Sequence, residues 1–156
     1  MRIEELLFLH NSTINLKEKY LIAGLKTENG KNRVIPIHSK IEPIIKKYYI
    51  NNNDYFINTN GKKLVTRLSY QTYHTYFKNF MSDLKMEHTT HDTRHTFRSE
   101  LARCNVQETI INLLLGHSAS DTGRKVYTHK TIEELACAIN LITYKKNKNL
   151  YVISAG

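Results

Sequence analysis

The chain has 156 residues, with 23 Lys+Arg against 14 Asp+Glu and a net charge of +9. That length is one domain, able to bury roughly 68 to 70% of the surface its unfolded chain exposes, so no disulfide or metal staple is required. The cationic excess fits a polyanion, phosphate backbone being the commonest, and no run approaches the roughly 18 apolar residues of a membrane span. The N-terminus has no secretory-signal pattern, and the two cysteines, Cys104 and Cys137, are too few and too far apart for a disulfide scaffold or a zinc ribbon. Both cysteines lie in apolar helical patterns and read as small buried core residues of a cytoplasmic protein.

Residues 2–9 place Ile3, Leu6, Leu7 and Phe8 at helical spacing, with Glu4 and Glu5 near the start, where the helix dipole favours them. The character then changes to short β-prone runs over residues 13–16, 20–25 and 33–37. Lys17-Glu18-Lys19 and Glu28-Asn29-Gly30-Lys31 fit the turns between them, the second with an Asn-Gly hairpin signal. The expectation is a small three-stranded antiparallel sheet near the N-terminus, with Lys26 at the end of its middle strand. Pro36 suits an edge strand, and Ser39 is the predicted N-cap of a helix over 40–49.

A short extended piece at Tyr55-Phe56-Ile57 and a turn at Asn60-Gly61 follow. Ser69 caps a predicted helix over 70–84, on which Tyr73, Phe77, Phe80 and Leu84 form an apolar stripe. Thr90 or His91 opens a helix to Arg103 that stops at Asn105, and a further helix over 106–115 is closed by Gly116. Helical patterns over 121–127 and 131–143 complete a helical second half. A basic tail over 145–156 ends in the apolar Tyr151-Val152-Ile153, suited to pairing with a sheet edge. The fold class expected is therefore α+β and mainly helical, with no internal repeat and no internal linker.

Of the ten tyrosines, most read as packing residues. A phenol with a pKa near 10 is ionised about once in a thousand at pH 7, a deficit of roughly 4 kcal/mol for a tyrosinate nucleophile, so a tyrosine that attacks needs cations around it. Tyr127 has Arg124, Lys125, His129 and Lys130 beside it in sequence, and no other tyrosine has such a neighbourhood. His91 and Arg94 share one helix face; an arginine fork can take two phosphate oxygens and the imidazole can move a proton. Taken alone, the pair reads better as a helix cap and a solvated surface charge. His91 and His95 also have the spacing of a metal-ligand pair, but HDTRH lacks the glutamate of an HExxH site and carries an arginine in the same turn.

The order of these features resembles the tyrosine recombinase (phage integrase) family. HDTRHTF is similar to its HxxR box, LLGHS to its Gly-His box and VYTH to its nucleophile box. Upstream, MRIEELLFL resembles the first arginine box, with Glu5 as the usual acid, and Leu25-Lys26-Thr27 followed by RVIPI resembles the hairpin that presents the catalytic lysine. The resemblance runs from Arg2 to about Ile142. It implies a catalytic domain over residues 1–144, N-terminally truncated and without the family's core-binding domain, followed by the basic tail over 145–156.

The resemblance also implies roles. Arg2 and Arg94 grip the scissile phosphate, Tyr127 attacks it to give a 3′-phosphotyrosyl intermediate, and Lys26 protonates the departing 5′ oxygen. His91 serves as base or proton shuttle, and His117 donates to a phosphate oxygen. No metal or other cofactor is called for. Double-stranded DNA is the partner, with self-association into a tetrameric synapse in the full-length protein. Lys31, Lys62, Lys63, Arg67 and Lys78 are candidate DNA contacts, each equally readable as solvated surface. A type IB topoisomerase-like nicking and closing enzyme and an inactive DNA-binding remnant are the competing readings.

Overall fold

A computed structural model describes residues 1–24, 32–49, 54–58, 67–117 and 131–143. Helix α1 (Ile3–Leu7) is followed by a 3-10 turn and by strands β1 (Ile14–Asn15), β2 (Tyr20–Ala23) and β3 (Arg33–Pro36). Helices α2 (Glu42–Tyr48), α3 (Tyr70–Asp83), α4 (Thr90–Arg103), α5 (Glu108–Leu115) and α6 (Ile132–Asn140) complete the described elements. The mainly helical α+β architecture with one three-stranded antiparallel sheet is as the sequence predicts.

The sheet runs β1-β2-β3, with Ile14 opposite Leu21, Leu21 opposite Ile35 and Ala23 opposite Arg33. Directly opposed residues share a sheet face, so Leu21 and Ala23 bury one face against Leu9, Ile14, Ile37 and Ile45. That register also sends Arg33 toward the covered side. Pro36 lies on the outer strand β3, where its missing N–H breaks no ladder bond. In the β1–β2 turn, the Asn15 carboxamide oxygen accepts from the Glu18 N–H at 2.9 Å and Lys19 adopts φ 56°. The extended residues 55–57 pair back on the N-terminal segment, the Phe56 N–H donating to the Leu9 carbonyl at 2.9 Å.

The second core joins α4, α5 and α6 through Leu101, Ile111, Leu114, Leu115, Leu135, Ile139 and Ile142, with Phe97 packed on it. Asn105 takes φ 56° between α4 and α5, as its place in the sequence predicts. Gly116 closes α5 at φ 68°, with the His117 N–H on the Asn112 carbonyl and the Gly116 N–H on the Leu113 carbonyl. This is the paired C-terminal bonding that favours glycine. Thr131 caps α6 and accepts from the Glu134 N–H at 3.2 Å. His38 joins the sheet to α6, its Nε2 lying 3.1 Å from the Ile142 carbonyl.

Several local expectations are corrected. Ser39 does not cap α2; its N–H donates to the Asn140 side chain at 3.0 Å, and α2 starts three residues later, with Pro43 in its first turn where a missing N–H costs nothing. Helix α5 begins at Glu108 rather than 106 because Val106 is tied to the Leu101 carbonyl in the turn after α4. Ser69 does cap α3, accepting from the Thr72 N–H at 3.1 Å, yet no residue of α3 is buried and Phe80 and Leu84 stay exposed. Its apolar stripe folds a helix without finding a core among the described residues. Cys137 is exposed rather than buried, because α6 turns Leu135, Ala138 and Ile139 inward; Cys104 is half-buried.

Candidate active site

Glu5 is the hub of the site. It is fully buried in α1, and its Oε2 accepts from the Arg2 backbone N–H at 2.7 Å, fixing the first turn of that helix. Arg33 meets it as a fork: Nη1 donates to Oε1 at 2.9 Å and Nη2 to Oε2 at 2.8 Å. Burial opposes ionisation of Glu5, but the hydrogen bonds from Arg33 and from the Arg2 N–H outweigh it and hold the carboxyl below the ordinary glutamate value. The Arg2 guanidinium stands by, its Nη1 at 3.8 Å from Glu5 Oε1, outside hydrogen-bonding distance.

Arg94 projects inward from the first turns of α4 and is buried. Its Nη2 donates to the Leu115 carbonyl at 2.6 Å, so a cation occupies the negative end of α5 just before the Gly-His pair. Burial lowers its pKa, with the charge of Arg2 adding to the effect. Nη1 of Arg94 and Nη1 of Arg2 are both buried and neither has a hydrogen-bond partner among the described residues. Each such donor costs about 1 to 3 kcal/mol of lost hydration, which an anion accepting from both offsets.

His117 follows Gly116 at the end of α5, half-buried. Burial lowers its pKa below the ordinary histidine value, and the positive charges of Arg94, Arg98 and Arg2 lower it further. Its imidazole is therefore neutral at neutral pH. His91, one turn before Arg94, is exposed at the mouth of a cavity of about 240 Å³ lined by Arg2, Glu4, Tyr70, Thr90 and Arg94. Its ring meets that of His95 edge-on, with centroids 4.7 Å apart. Thr89 and Asp92 anchor the start of α4, the Thr89 N–H donating to Asp92 Oδ2 at 2.7 Å.

Arg2, the His91–Arg94 pair and His117, three stretches far apart in sequence, therefore belong to one cationic neighbourhood. Lys26 and Tyr127, with Lys31, Lys62 and Lys63, lie outside the described residues. Arg67 stacks on the Phe8 ring, its Cζ 3.6 Å from the centroid, and Lys78 is exposed on α3. Sequence reasoning passed over Arg33. The signal was present: an arginine in the alternating run RVIPI stands in register with Ala23 on the covered sheet face, and a buried cation needs a counterion.

The model of the phage integrase family matches residues 1–134. A tyrosine recombinase of Thermosipho africanus is 30% identical over 140 residues, covering 86% of this chain and 47% of that protein. The tyrosine recombinase XerA of Pyrococcus furiosus is 28% identical over 151 residues, covering 94% of this chain and 52% of its own. The chain thus spans about half the length of the curated relatives it matches. In fold it is similar to the integrase of mycobacterium phage Brujita, with a TM-score of 0.72 at 17% identity, covering 92% of this chain and 47% of that one. It is also similar to the XerA recombinase structure, with a TM-score of 0.62 at 22% identity and coverages of 86% and 50%. The boxes read in the sequence, the fold and the matched family agree: this chain belongs to the phage integrase family of tyrosine recombinases.

Proposed function

We propose that the chain is the catalytic domain of a site-specific DNA recombinase working through a 3′-phosphotyrosyl intermediate. The observation that carries this reading is the pair of buried guanidinium nitrogens, Nη1 of Arg2 and Nη1 of Arg94, without an acceptor among the described residues, on two arginines that line one pocket with His91 and whose charges reach His117. Two such donors suit the nonbridging oxygens of a phosphodiester and the added charge of a pentavalent transition state.

In this mechanism the Tyr127 hydroxyl attacks phosphorus, forming the P–O(Tyr) bond while the P–O5′ bond breaks. Lys26 protonates the leaving 5′ oxygen, and His91 takes or relays the phenol proton. His117, held neutral, donates to a phosphate oxygen. The bond energy stays in the phosphotyrosyl ester, and attack by a 5′ hydroxyl of another strand rejoins the DNA. Lys31, Lys62, Lys63, Arg67 and Lys78 are proposed backbone contacts. The assembly on DNA is a tetrameric synapse of full-length protomers, acting in the cytoplasm.

A nicked DNA whose short downstream fragment, bearing the new 5′ hydroxyl, diffuses away after cleavage traps the intermediate. A covalent protein–DNA adduct that Tyr127→Phe abolishes and EDTA leaves intact supports phosphotyrosyl chemistry. Dependence of product on two paired sites selects recombination over nicking and closing. Loss of cleavage on chelation overturns the mechanism.

A further inference from the structure

Glu5 lies between two arginines, and only one of them bonds it through its guanidinium. Both carboxylate oxygens accept from Arg33, at 2.9 and 2.8 Å, whereas the Arg2 guanidinium approaches no closer than 3.8 Å. The Arg33 and Glu5 side chains are 8% and 1% exposed, so this pair is closed to solvent and the Arg2 side chain, at 32%, is not. An arginine three residues before a carboxylate on a helix start would ordinarily fold back and pair with it. Here the fork from β3 has taken that place.

The same guanidinium reaches the Gly-His pair. A methyl group added to Gly116 would lie 2.7 Å from Arg33 Nη1 and 2.9 Å from Cζ, so the guanidinium packs directly against the glycine backbone. On the preceding residue, Arg94 Nη2 holds the Leu115 carbonyl at 2.6 Å. Residues 115 and 116 are thus fixed by two arginines from two different elements, and His117 follows immediately.

We propose that Arg33 is a positioning residue of the site: by occupying both oxygens of Glu5 it keeps the Arg2 guanidinium free for a phosphate, and by packing on Gly116 it sets the place of His117. Its own charge is spent on Glu5, so it does not touch the substrate. Removing the fork releases Glu5 to capture Arg2, which withdraws one phosphate ligand and takes one positive charge from the neighbourhood of the other. The assignment rests on the recombinase reading for the identity of the phosphate as DNA, but the competition between Arg33 and Arg2 for Glu5 does not.

The test uses the full chain as Arg33→Gln, Arg33→Lys, Glu5→Gln and the double Arg33→Gln/Glu5→Gln, each checked for cooperative unfolding. Inorganic phosphate is titrated against each while the His117 ring resonances are followed, and single-turnover adduct formation on nicked DNA is measured beside DNA affinity. Arg33→Gln is expected to weaken phosphate binding about tenfold and slow adduct formation about 100-fold, the scale of losing one transition-state donor, with DNA affinity changed less than about threefold. The double variant, with no carboxylate left to capture Arg2, is expected to regain about tenfold of the rate over Arg33→Gln, the non-additivity of a coupled pair. Arg33→Lys, one point charge in place of a fork, falls between.

Phosphate binding and adduct rate unchanged in a folded Arg33→Gln, or a double variant no better than that single one, overturn the assignment. If the phosphate series behaves as stated while the unsubstituted chain forms no adduct, the recombinase reading fails and the role of Arg33 at an anion site stands.

Discussion

The guanidinium of Arg33 lies so close to Gly116 that a β-carbon there would come within 2.7 Å of Nη1. Strand β3 and the end of α5 therefore meet without room for any side chain at residue 116. Gly116 also holds φ 68°, a backbone conformation that costs other residues strain.

Gly116→Ala meets both penalties. It is expected to destabilise the fold by about 1 to 3 kcal/mol and to displace His117, lowering cleavage beyond the stability loss. Urea denaturation beside single-turnover kinetics checks it; a variant as stable as the parent would show that Arg33 simply moves aside.

Glu5→Gln leaves the buried Arg33 charge without its carboxylate. Breaking a buried pair on one side costs about 3 to 5 kcal/mol, a loss to be read from the urea midpoint. The pH dependence follows from the direction of the shift. Because the folded pKa of Glu5 is depressed, its contribution is present above the ordinary glutamate pKa and is lost as pH falls through the folded value. Stability of the parent chain should fall more steeply than that of Glu5→Gln below about pH 4.5.

His117 gives the opposite test of charge. Its pKa is lowered by burial and then by Arg94, Arg98 and Arg2, so its imidazole should titrate below the ordinary histidine midpoint in the free chain. Stability from the neutral ring is complete above that midpoint and declines as pH falls through it toward the folded value. Arg94→Gln removes one of the cations and should move the NMR titration of His117 upward, and bound phosphate should move it upward as well. A midpoint indifferent to both would place His117 away from the anion site.

The α6 cap separates fold stability from anion binding. Thr131→Ala loses the hydroxyl that accepts from the Glu134 N–H, and is expected to cost about 1 kcal/mol without altering phosphate affinity. A change in phosphate affinity would mean that α6 is coupled to the site.

Much of this was legible in the residues. The strand pattern, Ser69 as a cap, Asn105 as a stop and Gly116 as a helix end are local signals with local causes, and each is found, while the Asn29-Gly30 turn lies outside the described residues. His91, Arg94, His117 and Arg2 stand out through the resemblance of their boxes to the phage integrase family rather than through any one residue alone. What failed was tertiary. Ser39 has the composition of a cap, yet Asn140, far along the chain, takes its N–H. The α3 stripe has the right period, but period says nothing about whether a partner surface exists. Arg33 was hidden for a similar reason: its role depends on Glu5 and Gly116, which only the fold brings to it.

The central claim is that Tyr127 carries the DNA strand, and peptide mapping of the trapped adduct tests it most directly. Trypsin releases Tyr127 within the peptide from Val126 to Lys130. With nicked DNA labelled at the 5′ end of the cleaved strand, the label is expected on that peptide, as a phosphotyrosine ester, in the presence or absence of EDTA. Label on any other tyrosine or on a serine, or an adduct that persists undiminished in Tyr127→Phe, would contradict the account.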